Sequence, residues 1–229
     1  MRRLTSLVFA LLLLVPVLVG GCAEQEEEPI SPEPPVEEPA SPEEPLTPPE
    51  NGIDWREADQ LEPEKTTTLI IEGMEEEIVL QLQVSSLYPY ALYLDEERYR
   101  MEEKEDKDYI LLQTEGDLEV FMSIWHRENV EVSGLLAEIE TELKEVYTDV
   151  DVHGRVESPL PAQYLYAASG DAWDDTVERY YLVEDFEGGV FVIRQKMFKE
   201  AVEGHGVRFD GILEEFYIWD SVENEFLQP

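Results

Sequence analysis

Apolar and polar residues alternate with a period of two through much of the chain between residues 69 and 195. Ile78, Leu80, Leu82 and Val84 fall on one side of an extended segment. Glu77, Val79, Gln81 and Gln83 fall on the other, the pattern of a half-buried strand. Residues 69–74 precede it across Gly73, so a hairpin is predicted. Strands follow at 87–94, 99–101, 109–113 and 119–126, parted by charged turns at 102–108 and 115–117. Pro89 has no N–H to give a ladder, which puts it at a strand start or a sheet edge. The period then changes. Leu135, Leu136, Ile139, Leu143, Val146 and Tyr147 recur at helical spacing, with Glu138, Glu140, Glu142 and Lys144 on the wet side and Ser133 as N-cap. Four more strands are predicted at 150–156, 163–169, 176–183 and 189–195, punctuated by Pro159, Pro161, Gly170 and Gly188. Helical spacing resumes over 196–203 and 208–218, interrupted by Gly204-His205-Gly206. This order predicts one α+β domain over residues 53–229: an antiparallel β-sheet with a helix packed on each face.

The ordering resembles the PsbP-like fold, an α/β/α sandwich found in small secreted or lipid-anchored proteins. The likeness covers roughly residues 85–219. It is carried by Tyr88-Pro89-Tyr90 entering an early strand, the helix at 133–147, the strands over 163–195 and the closing Arg208-Phe209, Leu213 and Phe216. Ala91 stands where such proteins often have Gly. The resemblance implies a non-catalytic accessory or assembly factor; it is an analogy of fold and assigns no site.

Two zones precede this domain. The first, residues 1–21, has Arg2 and Arg3, an apolar run interrupted by Pro16, then Val19-Gly20-Gly21 before Cys22, the only cysteine of the chain. The apolar run is short for a membrane-spanning helix of roughly 20 residues, and no Ala-x-Ala-like cleavage site precedes Cys22. The segment resembles the signal of bacterial lipoproteins, with Val where Leu is usual at its leading position. By that resemblance Cys22 is diacylated on sulfur with fatty acids such as palmitate, and the leader is cut away before it. The expected address is the cell membrane, with the protein lipid-anchored on the extracytoplasmic face. Two chains anchor firmly where one is marginal. With Cys22 acylated, the domain has no thiol for a disulfide, a nucleophile or a metal.

The second zone, residues 22–52, holds ten Glu and nine Pro with no Lys or Arg between 23 and 51. Such a composition buries no apolar area and sustains no helix, so a disordered tether is predicted. At about 3.1 Å per residue it would reach roughly 90 Å.

Charge narrows the partners. The chain carries a formal −38, of which about −30 belongs to residues 53–229. Phosphate recognition needs clustered Lys and Arg, so nucleic acid and anionic lipid are disfavoured as ligands. Cationic partners, divalent ions or adaptation to salt fit this balance.

No Gly-x-Ser-x-Gly elbow, His-Glu-x-x-His pair or phosphate loop occurs. The three histidines, His126, His153 and His205, are read as structural or surface residues. Residues 149–154 place acids at positions one and three and Gly154 at six of a calcium-loop pattern, but position twelve is Leu160, which supplies no carboxylate. The segment 169–175 gathers Asp171, Trp173, Asp174 and Asp175 in one predicted turn. It would hold a hard cation such as Ca²⁺ or present Trp173 to a sugar; otherwise it is an acidic hairpin with Trp173 packed back on the sheet. Glu200, Glu203, His205 and Arg208 form a charged group at a helix break, or else mark a helix end capped by Gly204 in the left-handed region. Tyr164 and Tyr166 share a strand face, an aromatic platform or a pair that stabilises the sheet. The function read from all this is a lipid-anchored, non-catalytic interaction or accessory protein with a protein or envelope partner and no cofactor. A ligand- or Ca²⁺-binding sensor is the alternative, and a hydrolase the third.

Overall fold

The computed structural model describes residues 54–114 and 119–229. The leader, Cys22, the Glu/Pro-rich segment, Ile53 and the turn at 115–117 lie outside them. The chain enters through a 3-10 turn, Trp55–Glu57, whose Asp54 cap accepts a hydrogen bond from the N–H of Arg56 at 3.0 Å. The hairpin follows as β1 (Glu64–Ile71) and β2 (Met74–Val84). Ile71 pairs with Met74, so only Glu72 and Gly73 form the turn, with φ of 50° and 78°. Both angles lie in the left-handed region that a two-residue turn matched to strand twist requires, and Gly meets it without a Cβ.

Strand β3 (Tyr90–Leu94) begins directly after Pro89, and β4 (Tyr99–Lys104), β5 (Lys107–Leu112) and β6 (Phe121–Arg127) run antiparallel. Helix α1 spans Val132–Val146. Its cap position is Glu131, without a side-chain bond, and Ser133 lies in the first turn. Then come β7 (Asp149–Val156), β8 (Ala162–Ala168), β9 (Thr176–Glu184) and β10 (Val190–Phe198). A 3-10 turn at Lys199–Val202, helix α2 (His205–Leu213), β11 (Phe216–Asp220) and β12 (Glu225–Leu227) close the chain.

These strands make two antiparallel sheets, β1-β2-β3-β11-β12 and β4-β5-β6-β10-β9-β8-β7. Alternation along the seven-stranded sheet decides what covers each face. Val190, Val192, Leu165, Ala167 and Leu182 point to α1 and meet Leu135, Ile139 and Leu143. Phe191, Ile193, Val177 and Val183 point the other way, onto Tyr90 and Leu92 of β3, Phe216 and Ile218 of β11, and Phe209 and Leu213 of α2. The core therefore lies chiefly between two sheets. Tyr90 stacks on Phe216 with ring centroids 5.1 Å apart, which joins β3 to β11 across that core.

The sandwich of one sheet between two helix layers, with the PsbP-like α/β/α architecture it was drawn from, is overturned: the fold is mostly β, and a second sheet stands where a helix layer was expected. The cause lies in the closing segment. Lys196–Phe198 continue β10 as strand, and helical structure ends at Leu213. Phe216, Ile218 and Trp219 are all buried because β11 is an inner strand with both faces covered. A strand buried on both faces reads as a continuous apolar run that helical spacing also fits. No helix of the described residues is long and apolar enough to cross a membrane.

Candidate functional site

Strand β2 is longer than its neighbour. Its pairing with β3 ends at Gln81 opposite Leu94, whereas its pairing with β1 continues to Met74. At Asp95 the chain turns away, and the peptide N–H groups of Arg98 and Tyr99 both donate to the Asp95 carbonyl, at 3.1 and 2.9 Å. Between this turn and the N-terminal half of β2 lies a cleft of about 420 Å³.

An ion-pair cluster braces it. Arg98 donates from Nη2 to Glu76 Oε1 at 2.7 Å, and its Nε lies 3.3 Å from Asp95 Oδ2. Arg208, buried on α2, donates from Nη2 to the other Glu76 oxygen at 2.6 Å. The Arg208 and Arg98 guanidinium groups hold the Glu76 carboxyl below the usual carboxylate range. Burial pushes Asp95 up, against the hydrogen bond from the Glu97 N–H and the charge of Arg98. Behind Arg208, the Tyr99 hydroxyl and His205 Nδ1 are 2.8 Å apart, and burial drives the Tyr99 phenol far above its ordinary value. Glu76, Asp95 and Arg98 in the cleft wall are thus committed to one another and to Arg208, whereas Glu77, Glu96 and Glu97 line it outside these ion pairs.

A second, smaller cleft of about 190 Å³ adjoins a buried His126–Asp185 pair, with Nε2 to Oδ2 2.7 Å. Asp185 Oδ1 also accepts from the N–H groups of Glu187 and Gly189, at 2.8 and 2.6 Å. Burial alone would raise Asp185; these hydrogen bonds, His126 foremost, hold it below the carboxylate range. The pair ties the β9–β10 hairpin to β6.

The residues singled out in the sequence divide between two places. His205 and Arg208 join the cluster behind the main cleft. Glu200 and Glu203 stay exposed outside it, and Gly204, at φ −97°, makes no left-handed cap. The 169–175 turn instead sits against the start of the 3-10 turn: Asp171 pairs with Lys199 at 2.6 Å, and Glu200 N–H donates to the Trp173 carbonyl at 3.0 Å. Trp173 is 67% exposed and does not pack back on the sheet.

Two of the three acids of this turn have partners within it or beside it. Asp171 is paired with a lysine, and Asp175 accepts from Ser169 Oγ and the Ala172 N–H. Among the described residues no three His, Cys, Asp or Glu side chains converge as metal donors. The rings of His153, Tyr164 and Tyr181 meet in series in tilted contacts, with centroids 5.2 and 4.9 Å apart, which ties β7, β8 and β9 together.

Glu76, Asp95, Arg98 and Tyr99 were not singled out from the sequence. The one local hint is Arg98, the cation that directly follows Asp95-Glu96-Glu97. No family model, curated protein or solved structure matches this chain.

Proposed function

We propose that this is a lipid-anchored, extracytoplasmic interaction protein without a catalytic role, held to the membrane by acyl chains on Cys22 and displayed on the acidic segment 22–52. The leader, the lone cysteine and the Pro/Glu composition support the anchor and the tether. The observation that carries the binding role is the overhang of the β1–β2 hairpin beyond β3. It leaves a cleft beside an incompletely paired strand and exposes Ile70, Met74 and Val79 by 66%, 67% and 47%. Exposed apolar side chains next to unpaired ladder positions are features of sheets that receive a partner chain.

The test has two arms in a bacterial host. Labelled palmitate should enter the wild-type chain and not Cys22→Ala. A photo-crosslinking residue at Val79 should capture a discrete partner that the same group at Glu142, on the exposed side of α1, does not. Palmitate labelling that ignores Cys22, or identical adducts from both positions, would sink the reading.

A further inference from the structure

The main cleft has a backbone polarity that identifies what it takes. Ser85 N–H donates to the Tyr90 carbonyl, so odd-numbered residues of β2 face β3. Leu82 N–H donates to the Pro63 carbonyl, so even-numbered residues face β1. The ladder alternates without irregularity through both pairings. The main-chain N–H and C=O of Val79 and Glu77 therefore point toward the cleft, beyond the last β3 partner, and have no backbone partner among the described residues.

From this we infer that the partner enters as an extended Lys- and Arg-rich segment, which adds a strand along residues 75–79 of β2. The inference rests on the interaction-protein reading and names the chemistry of its partner. An added strand satisfies the waiting ladder groups by main-chain hydrogen bonds and needs no particular sequence for them. Charge chooses the side chains. Glu76, Glu77, Asp95, Glu96 and Glu97 line the cleft against the single cation Arg98, whose guanidinium is committed to Glu76 and Asp95. Alternate side chains of an incoming strand lie on the same face as Glu77 and Val79, so a basic residue meets Glu77 while an aliphatic stem covers Val79. A second copy of this chain is a poor occupant. It would bring another formal charge of about −30 to the same edge.

The test titrates the full-length chain with two ten-residue probes: a peptide alternating Lys with Val, and the same peptide N-methylated through its central six residues. Charge is identical in the two, and the second lacks the ladder donors. The first probe should bind, and N-methylation should weaken it at least tenfold at fixed salt. Val79→Pro should weaken it equally, because that N–H faces the cleft and β1 loses no bond.

Equal affinity for the two probes would reduce the effect to charge attraction and overturn the added strand. So would binding abolished by Thr68→Pro on the β1 edge but kept in Val79→Pro. If neither probe binds while Val79 crosslinks persist, the cationic class is wrong and the interaction reading stands. If the crosslinks vanish as well, the reading falls with it.

Discussion

Arg208 Nη2 lies 2.6 Å from Glu76 Oε2, a contact across 132 positions that fastens α2 to the β1–β2 hairpin. The two ends of this pair are not equivalent. Arg208 is buried, whereas Glu76 is part-exposed and also holds Arg98. Glu76→Gln leaves the buried Arg208 guanidinium without its hydrogen-bonded carboxylate and should lower stability more than removal of the arginine does. Arg208→Met removes the buried charge and leaves Glu76 with Arg98, so it should cost about 1 kcal/mol or less. Urea unfolding of both variants at one pH separates them, and equal losses would refute the asymmetry.

Asp185 should shape the acid limb of stability. Its folded carboxyl lies below the ordinary range, so the native state binds the proton less tightly than the unfolded chain. The stabilisation is present above the unfolded value of about 3.9 and is lost as pH falls through the folded value. Asp185→Asn should flatten the melting-temperature profile below about pH 4 and lower stability at pH 7 by roughly 2 kcal/mol. A steep acid limb retained in the variant would contradict this origin.

Asp108 has the opposite sign. It is fully buried, and both Ser85 Oγ and Tyr90 OH donate to Oδ2, at 2.6 and 2.7 Å, while Oδ1 has no partner. Burial raises its carboxyl above the usual value despite those two bonds. Stability is therefore greatest with the group protonated, below about pH 3.9, and declines as pH rises through the folded value. The melting temperature of Asp108→Asn relative to wild type should climb between pH 4 and pH 7. A constant difference would show that Asp108 does not titrate differently on folding.

Two glycines should respond to alanine in opposite directions. A Cβ on Gly189 would sit 2.4 Å from His126 Nε2 and 2.7 Å from Asp185 Oδ2, forcing the buried pair apart. That should cost about 2–3 kcal/mol. A Cβ on Gly134, within α1, meets nothing within 4 Å, and alanine there should stabilise by about 0.5–1 kcal/mol. Thermal melts of the two variants check both signs.

Local order was legible where a single periodicity governed it. The hairpin around Gly73 and the helix carrying Leu135, Ile139 and Leu143 follow from their own spacing. The division into two sheets did not. It depends on β11 returning to pair with β3, Phe216 opposite Leu92, a contact that no local pattern announces. The same limit governs the site. Arg208 and His205 stand out as rare basic residues in an acidic chain, but Glu76 is one of three consecutive glutamates between Met74 and Ile78. Only the fold reveals that it is the carboxylate between two guanidinium groups.

Trp55 seals the entry to the domain. Its ring is buried beside Ala91, Trp219 and Phe226, its indole N–H donates to the Ser85 carbonyl at 3.0 Å, and Arg56 donates to the Ser86 carbonyl at 2.8 Å. Tension drawn along the chain from its N-terminal side meets this clasp before it reaches β1. The load would then enter the corner between β2 and β3, where Ser85 and Ser86 lie, before it reached the end of the β1–β2 ladder. The cleft at Glu77 lies eight residues back along β2 from Ser85, about 26 Å away. A domain pulled from its N-terminal side would keep the shape of that cleft.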